Sequence, residues 1–139
     1  FVFVGDGECD EGQVWEAAQF AAHYKLDHLI CFVDYNKRQL DGACEDVMSH
    51  GKGIGAKFDA FGWNVIDLPD GNDVEAIYDA VQLAYDVKGK PTCIVLNTVK
   101  GKGATFAEPS GAHSSQPTPE QWDEAIKASE AAYAAVKAQ

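Results

Sequence analysis

Basic residues are scarce in this chain: 11 Lys and Arg stand against 22 Asp and Glu, a formal charge of −11. That shortage argues against a nucleic-acid partner and an anionic membrane surface, because both need a basic patch. No apolar run approaches the length of a membrane span. The four cysteines, at positions 9, 31, 44 and 93, include no Cys-x-x-Cys pair. Neither a disulfide framework nor a zinc site is expected from them, and a reduced, cytoplasmic setting fits. Cys31 and Cys93 lie inside apolar runs and read as small buried hydrophobes, while Cys9 reads as an incidental loop thiol. Phe1 opens inside an apparent core strand, with no methionine, cap or signal peptide before it. The 139 residues suffice for one domain.

What is present alternates. Four apolar, β-rich runs occupy residues 1–5, 29–34, about 63–68 and 92–99. Helical patterns separate them. Residues 12–25 carry a stripe of Val14, Ala17, Ala18, Ala21 and Ala22, small enough for close packing. Residues 72–88 repeat the pattern with Val74, Ile77, Tyr78, Val81 and Tyr85, capped by Asn72 or Asp73. Residues 119–138 form a last helix, with Thr118 as cap, Pro119 in its first position and Gln121 placed to complete a capping box. Such alternation predicts an α/β fold, an open parallel sheet with helices on both faces. Two segments lack periodicity. Residues 36–57 hold a glycine-rich stretch, Gly51-Lys52-Gly53-Ile54-Gly55, that lacks a Gly-Lys-Ser/Thr ending and reads as a loop entering a helix. Residues 100–118 read as a long loop or lid, ordered only when a ligand binds.

Gly5-Asp6-Gly7 ends the first strand, and Asp34-Tyr35-Asn36 ends the second. In a parallel βαβ unit the two strands are neighbours, so Asp6 and Asn36 would converge at one sheet edge. A carboxylate and an amide oxygen there suit a magnesium ion carrying a diphosphate. Gly7 has no side chain, so its N–H can approach a phosphate, and the next helix points its N-terminus the same way. The Gly-Asp-Gly context alone supports a turn aspartate about equally well. Asn36 equally suits a left-handed turn.

The wording around these residues narrows the reading. Gly5-Asp6-Gly7-Glu8-Cys9-Asp10-Glu11-Gly12-Gln13-Val14-Trp15-Glu16-Ala17, then Lys25-Leu26-Asp27-His28-Leu29 and Asp34-Tyr35-Asn36, resembles the diphosphate-binding motif of thiamine-diphosphate enzymes. The Glu-Gly-Gln-Val-Trp-Glu wording is most similar to transketolases, including those split into two subunits. The likeness continues through Phe61-Gly62-Trp63-Asn64-Val65, Lys90-Pro91-Thr92 and Lys100-Gly101-Lys102-Gly103, nearly the whole chain.

The resemblance implies thiamine diphosphate with magnesium or calcium, held by the side chains of Asp6 and Asn36 and the backbone carbonyl of Arg38. Leu40 matches an apolar position that supports the bent cofactor, and an ordinary core leucine is the alternative. Glu11 and Glu16 match acidic positions between paired active sites at a dimer interface. Glu11 also suits a helix N-terminus. Lys100 matches a lysine near cofactor and substrate, or else is a solvated loop lysine. His113 matches a histidine near the diphosphate and the sugar, the one catalytic candidate, although Ala112-His113-Ser114 replaces the usual Trp-His-Gly. His23, His28 and His50 have no such match and are expected on exposed faces.

The implied activity is transfer of a two-carbon ketol unit between sugar phosphates, as in the pentose phosphate pathway. An α-type subunit of a 2-oxo-acid dehydrogenase and a non-catalytic diphosphate-binding module are the alternatives. The glutamate that activates the cofactor belongs, in this family, to a pyrimidine-binding domain or subunit, and no segment here is similar to it. Residues 1–139 are therefore expected to be the C-terminal part of the diphosphate-binding domain, or a small natural subunit, inactive alone. Assembly as a homo-oligomer or heterotetramer follows from the same resemblance.

Overall fold

Ile30-Cys31-Phe32-Val33 and Thr92-Cys93-Ile94-Val95-Leu96 carry no charge and are buried throughout, as strands covered on both faces must be. In the computed structural model, which describes residues 1–108, 113, 114 and 116–138, they form the centre of a parallel sheet. The strands are β1 (Val2–Gly5), β2 (Ile30–Asp34), the short β3 (Arg38–Gln39) and β4 (Gly42–Ala43), β5 (Asn64–Leu68) and β6 (Thr92–Leu96). The main sheet runs β1-β2-β6-β5, all parallel, and β3 pairs with β4 in a separate antiparallel ribbon. The helices are α1 (Gly12–His23), α2 (Cys44–Val47), α3 (Ile54–Ala60), α4 (Val74–Asp86) and α5 (Pro119–Lys137). The chain divides into two compact units, Phe1–Thr98 and Val99–Gln139. No helix among the described residues is long and apolar enough to cross a membrane.

Strand alternation sends Cys31, Val33, Cys93 and Val95 to one face, where Ala18 and Ala21 of α1 and Ile54 and Phe58 of α3 cover them. Ile30, Phe32, Ile94 and Leu96 face the other way, against Ala80 and Ala84 of α4. Helices therefore lie on both faces, as the alternation predicts. The inward stripe of α4 differs from the sequence reading. Val74, Tyr78 and Tyr85 are exposed, and Ile77, Ala80, Val81 and Ala84 turn inward. Two alanines on the buried side let the helix approach the β-branched strands closely.

Helix ends follow local chemistry. Asp73 caps α4, its Oδ1 accepting N–H bonds from Glu75 at 2.9 Å and Ala76 at 3.2 Å. Thr118 and Gln121 form the expected capping box on α5. α1 stops at His23, short of the expected 25, because Lys25 adopts φ +54°. The N–H groups of Lys25 and Leu26 then bond back to Ala22 and Ala21, a Schellman ending built without glycine.

The irregular stretch 36–57 contains the β3–β4 ribbon, α2 and the start of α3. His23 and His28 are exposed as expected, but His50 is not: it is 3% exposed, under the Tyr35 ring and beside Lys57. Within the second unit, turns at 101–103 and 105–108 precede α5, and Phe106 packs edge-on against Trp122. Residues 109–112 and 115 of the expected lid lie outside the described residues.

Candidate functional site

β1 and β2 end level because Gly5 pairs with Asp34, and the Asp6 N–H extends the ladder to the Asp34 carbonyl at 3.1 Å. Asp6 is only 3% exposed. Its Oδ1 accepts the Gly7 N–H at 2.8 Å and its Oδ2 accepts the Lys37 N–H at 2.7 Å. The second bond pulls the loop after β2 onto the end of β1, with Lys37 at φ +66°. Asn36 stands immediately before it. The Asn36 Oδ1 accepts the Arg38 N–H at 3.0 Å, and its amide group lies 3.4 Å from Asp34 Oδ2. Asp34 also accepts a hydrogen bond from the Thr98 hydroxyl. Asp6, Asn36 and Arg38 are thus gathered at one sheet edge, as the strand order requires.

The donor set fits an incompletely ligated hard cation. Each oxygen of Asp6 accepts one backbone N–H, the Cys44 thiol lies against the same carboxylate, and Asn36 Oδ1 accepts one N–H, so the set has acceptor capacity left for a cation. Among the described residues no cluster of three His, Cys, Asp or Glu side chains is placed to hold a metal. One carboxylate with neutral oxygens suits magnesium only when phosphate oxygens and water complete the shell.

Gly7 lies between Asp6 and the 3₁₀ turn. Its N–H goes to Asp6, and α1 begins at Gly12, after a 3₁₀ turn at Glu8–Asp10. A Cβ at Gly7 would lie 3.5 Å from Gln39 Cγ, an ordinary contact. Leu40, at the turn of the β3–β4 ribbon, is 72% exposed, which removes the core-leucine alternative. Glu11 is the N-cap residue of α1 and makes no side-chain cap bond, though its Oε2 accepts from Gln13 Nε2 at 2.6 Å. Both Glu11 and Glu16 are exposed. Within the second unit, Lys100 Nζ lies 3.2 Å from His113 Nδ1, so the two substrate-side candidates are neighbours.

Sequence reasoning missed a polar cluster beside Asp6. Gln39 Nε2 donates to Asp10 Oδ2 at 2.8 Å. Buried His50 places Nδ1 3.7 Å from Asp10 Oδ1 and 3.2 Å from Lys57 Nζ. Burial, and then the Lys57 charge, hold the His50 pKa below the ordinary imidazole value, against weaker upward pulls from Asp10, Asp6 and Glu45. No periodicity marks these residues, and only the fold brings them together. The thiols around them are inert acids. Burial, with smaller contributions from neighbouring acidic groups, pushes Cys9 up to about 12 and Cys44 to about 11. All four cysteines are free, and Cys9 is part of the core and not a loop thiol.

The chain is 46% identical over 127 residues to a 6-deoxy-6-sulfo-D-fructose transketolase subunit from Clostridium sp. (strain MSTE9), covering 91% of this chain and 46% of that protein. It is 36% identical over 128 residues to an apulose-4-phosphate transketolase subunit of Phocaeicola vulgatus, covering 91% of this chain and 45% of that one. A crystal structure of Pichia stipitis transketolase in complex with sedoheptulose 7-phosphate superposes with a TM-score of 0.70 at 36% identity, over 74% of this chain and 15% of that chain. The chain therefore spans less than half the length of these relatives. Residues 1–135 match the family described as transketolase, thiamine diphosphate binding domain, and on that match the chain belongs to this family.

Proposed function

We propose that, within its complete protein, this domain binds thiamine diphosphate through a divalent cation, magnesium in the first instance. The Asp6 and Asn36 side chains and the Arg38 carbonyl would hold the ion, and Gly7 and Leu40 would face the cofactor. One observation carries the reading: a buried carboxylate that draws the Asn36-Lys37-Arg38 loop onto the end of β1 at 2.7 Å. When bound, thiamine diphosphate supplies the thiazolium ring that carries a two-carbon unit. Lys100 and His113, 3.2 Å apart, offer a cation and an imidazole for an anionic sugar and for moving a proton at its hydroxyl groups. The activity proposed is ketol transfer between sugar phosphates, of the pentose-phosphate type. The names of the two bacterial relatives, both transketolase subunits, support it and favour a split enzyme. A pyrimidine-binding domain or subunit would complete the site in a homo-oligomer or heterotetramer. Four free cysteines support a cytoplasmic setting.

The test is a transfer assay on the complete protein with its pyrimidine-binding partner, using a ketose phosphate and an aldose phosphate. Chelation should abolish transfer, and added magnesium should restore it. Asp6→Ala and Asn36→Ala should each weaken magnesium-dependent cofactor binding by about a hundredfold or more, in line with removing one partner from a buried charged contact. Near-normal cofactor affinity in both variants would sink the metal assignment. Turnover of a 2-oxo acid in place of ketol transfer would move the chain to the dehydrogenase branch.

A further inference from the structure

Gln39 is the meeting point of three pieces of the first unit. Its side chain leaves β3, lies against Gly7, and donates to Asp10 Oδ2 at 2.8 Å. Cys44, at the start of α2, places its thiol against both Asp6 and Gln39. A ribbon with two residues in each strand has no stability of its own. What fastens it therefore decides where Arg38 and Leu40 lie. The backbone anchors, Lys37 N–H to Asp6 Oδ2 at 2.7 Å and Cys44 N–H to the Lys37 carbonyl at 3.1 Å, secure the base. The Gln39–Asp10 bond ties the ribbon itself to the turn Glu8–Asp10.

Asp10 is held from behind by groups that bond it incompletely. Its Oδ1 is buried without a hydrogen-bond partner and faces the His50 ring at 3.7 Å, and His50 Nε2 is likewise unpartnered. Lys57, reaching from α3, lies 3.2 Å from the same His50 nitrogen that faces Asp10. A carboxylate so placed cannot turn to water when its one strong donor is lost.

We propose that Gln39 and Asp10, backed by His50 and Lys57, form a latch that positions the β3–β4 ribbon at the diphosphate site and so sets cofactor affinity. They act as positioning residues, and the inference rests on the cofactor assigned under Proposed function.

The latch is tested in the complete protein by two measurements on Gln39→Ala, Asp10→Ala, the double variant and Asp10→Asn. Amide hydrogen exchange is followed without ligand, and thiamine diphosphate is titrated in the presence of magnesium. Either alanine variant should speed exchange at residues 38–43 and raise the cofactor Kd by about tenfold, the scale of one charge-assisted hydrogen bond. Exchange in β2 and β6 should stay unchanged. The double variant should be no worse than either single one, because both remove the same bond. Asp10→Asn keeps an oxygen that accepts from Gln39 and should remain close to wild type. The proposal is overturned by unchanged exchange at 38–43 in Gln39→Ala, by additive losses in the double variant, or by faster exchange throughout the sheet. Unchanged Kd in a protein that binds the cofactor overturns it equally. If the wild-type protein fails to bind thiamine diphosphate, the cofactor assignment falls and the exchange data alone decide the latch.

Discussion

His50 shows how a single buried side chain ties stability to pH. It is 3% exposed, with Lys57 beside it, and both burial and that charge favour the neutral ring. In the unfolded chain the same imidazole titrates near its ordinary value, about 6.5. Between the lowered native pKa and that value, the unfolded state binds a proton that the native state does not. Stability must then rise with pH across this window and fall on acidification. Asp10, Asp6 and Glu45 oppose the shift and Lys57 reinforces it, so the slope reports the balance of the whole cluster. His50→Gln removes the titrating group. Its urea midpoint should fall less than that of the wild type between about pH 7 and pH 5. Equal acid sensitivity in the two proteins would show that His50 ionises as freely in the native state as outside it. Sequence could not reveal this residue. Met48-Ser49-His50-Gly51 has the composition of an exposed loop, and its histidine packs under Tyr35, fifteen residues earlier, and beside Lys57, seven residues on in α3. The placement of Asp6 and Asn36 was legible for the opposite reason: Asp6 directly follows β1 and Asn36 stands two residues beyond β2, and the apolar run of each strand fixes where it ends.

Among the elements, the sequence revealed those long enough to show a period or carrying a cap. β6 and the first four residues of β2 appear as uncharged runs, and α4 and α5 are capped by Asp73 and Thr118, whose side chains accept the first free N–H groups. The entry into α3 was legible from the glycines before it, whereas the β3–β4 ribbon and α2 remained hidden because elements of two to four residues complete about one turn or one strand repeat. The ribbon is held from outside by the bonds from Lys37 to Asp6 and from Gln39 to Asp10. Gly71 shows a constraint of the same kind. It follows β5, and its N–H donates to the Asn97 carbonyl at 2.9 Å. A Cβ there would sit 2.6 Å from the Leu96 carbonyl carbon and 2.7 Å from its Cα, both backbone atoms of the central strand. Neither can move without breaking the β5–β6 pairing. Gly71→Ala should therefore destabilise the first unit by about 3 kcal/mol, the upper range for overpacking. Gly12→Ala is the control, since nothing lies within 4 Å of a Cβ at that position and α1 already begins there. Chemical denaturation of both variants gives the comparison. A Gly71→Ala midpoint equal to that of Gly12→Ala would mean that the β5 end yields more easily than its contacts require.

At the scale of the whole molecule, exposed apolar side chains occur on β1, α1, α4 and α5 alike. β1 is the sheet edge, and Phe1 and Phe3, stacked toward Phe32, remain 70% and 69% exposed. On the opposite face, an open cavity of about 310 Å³ lies between β1 and α1, walled by Val2, Val4, Val14 and Ala17 and rimmed by Glu11. Unpaired edges and apolar patches of this kind associate in water. Glu11 and Glu16 stand exposed along the same helix. In a two-fold assembly that buried this face, each glutamate would approach its symmetry mate, and like charges held close repel one another. Interface carboxylates of that kind should link association to the state of the two cofactor sites. Glu11→Gln or Glu16→Gln removes a charge from each copy without altering shape. The dimer dissociation constant should change by about tenfold, as removal of one close charge pair predicts, or cofactor binding should lose its cooperativity. The denaturation midpoint of the first unit should hold, because neither side chain enters its core. Sedimentation velocity and thiamine diphosphate titration of the complete protein measure both effects. Unchanged dimer affinity together with unchanged binding curves would remove Glu11 and Glu16 from the interface and leave Glu11 acting only at the N-terminus of α1.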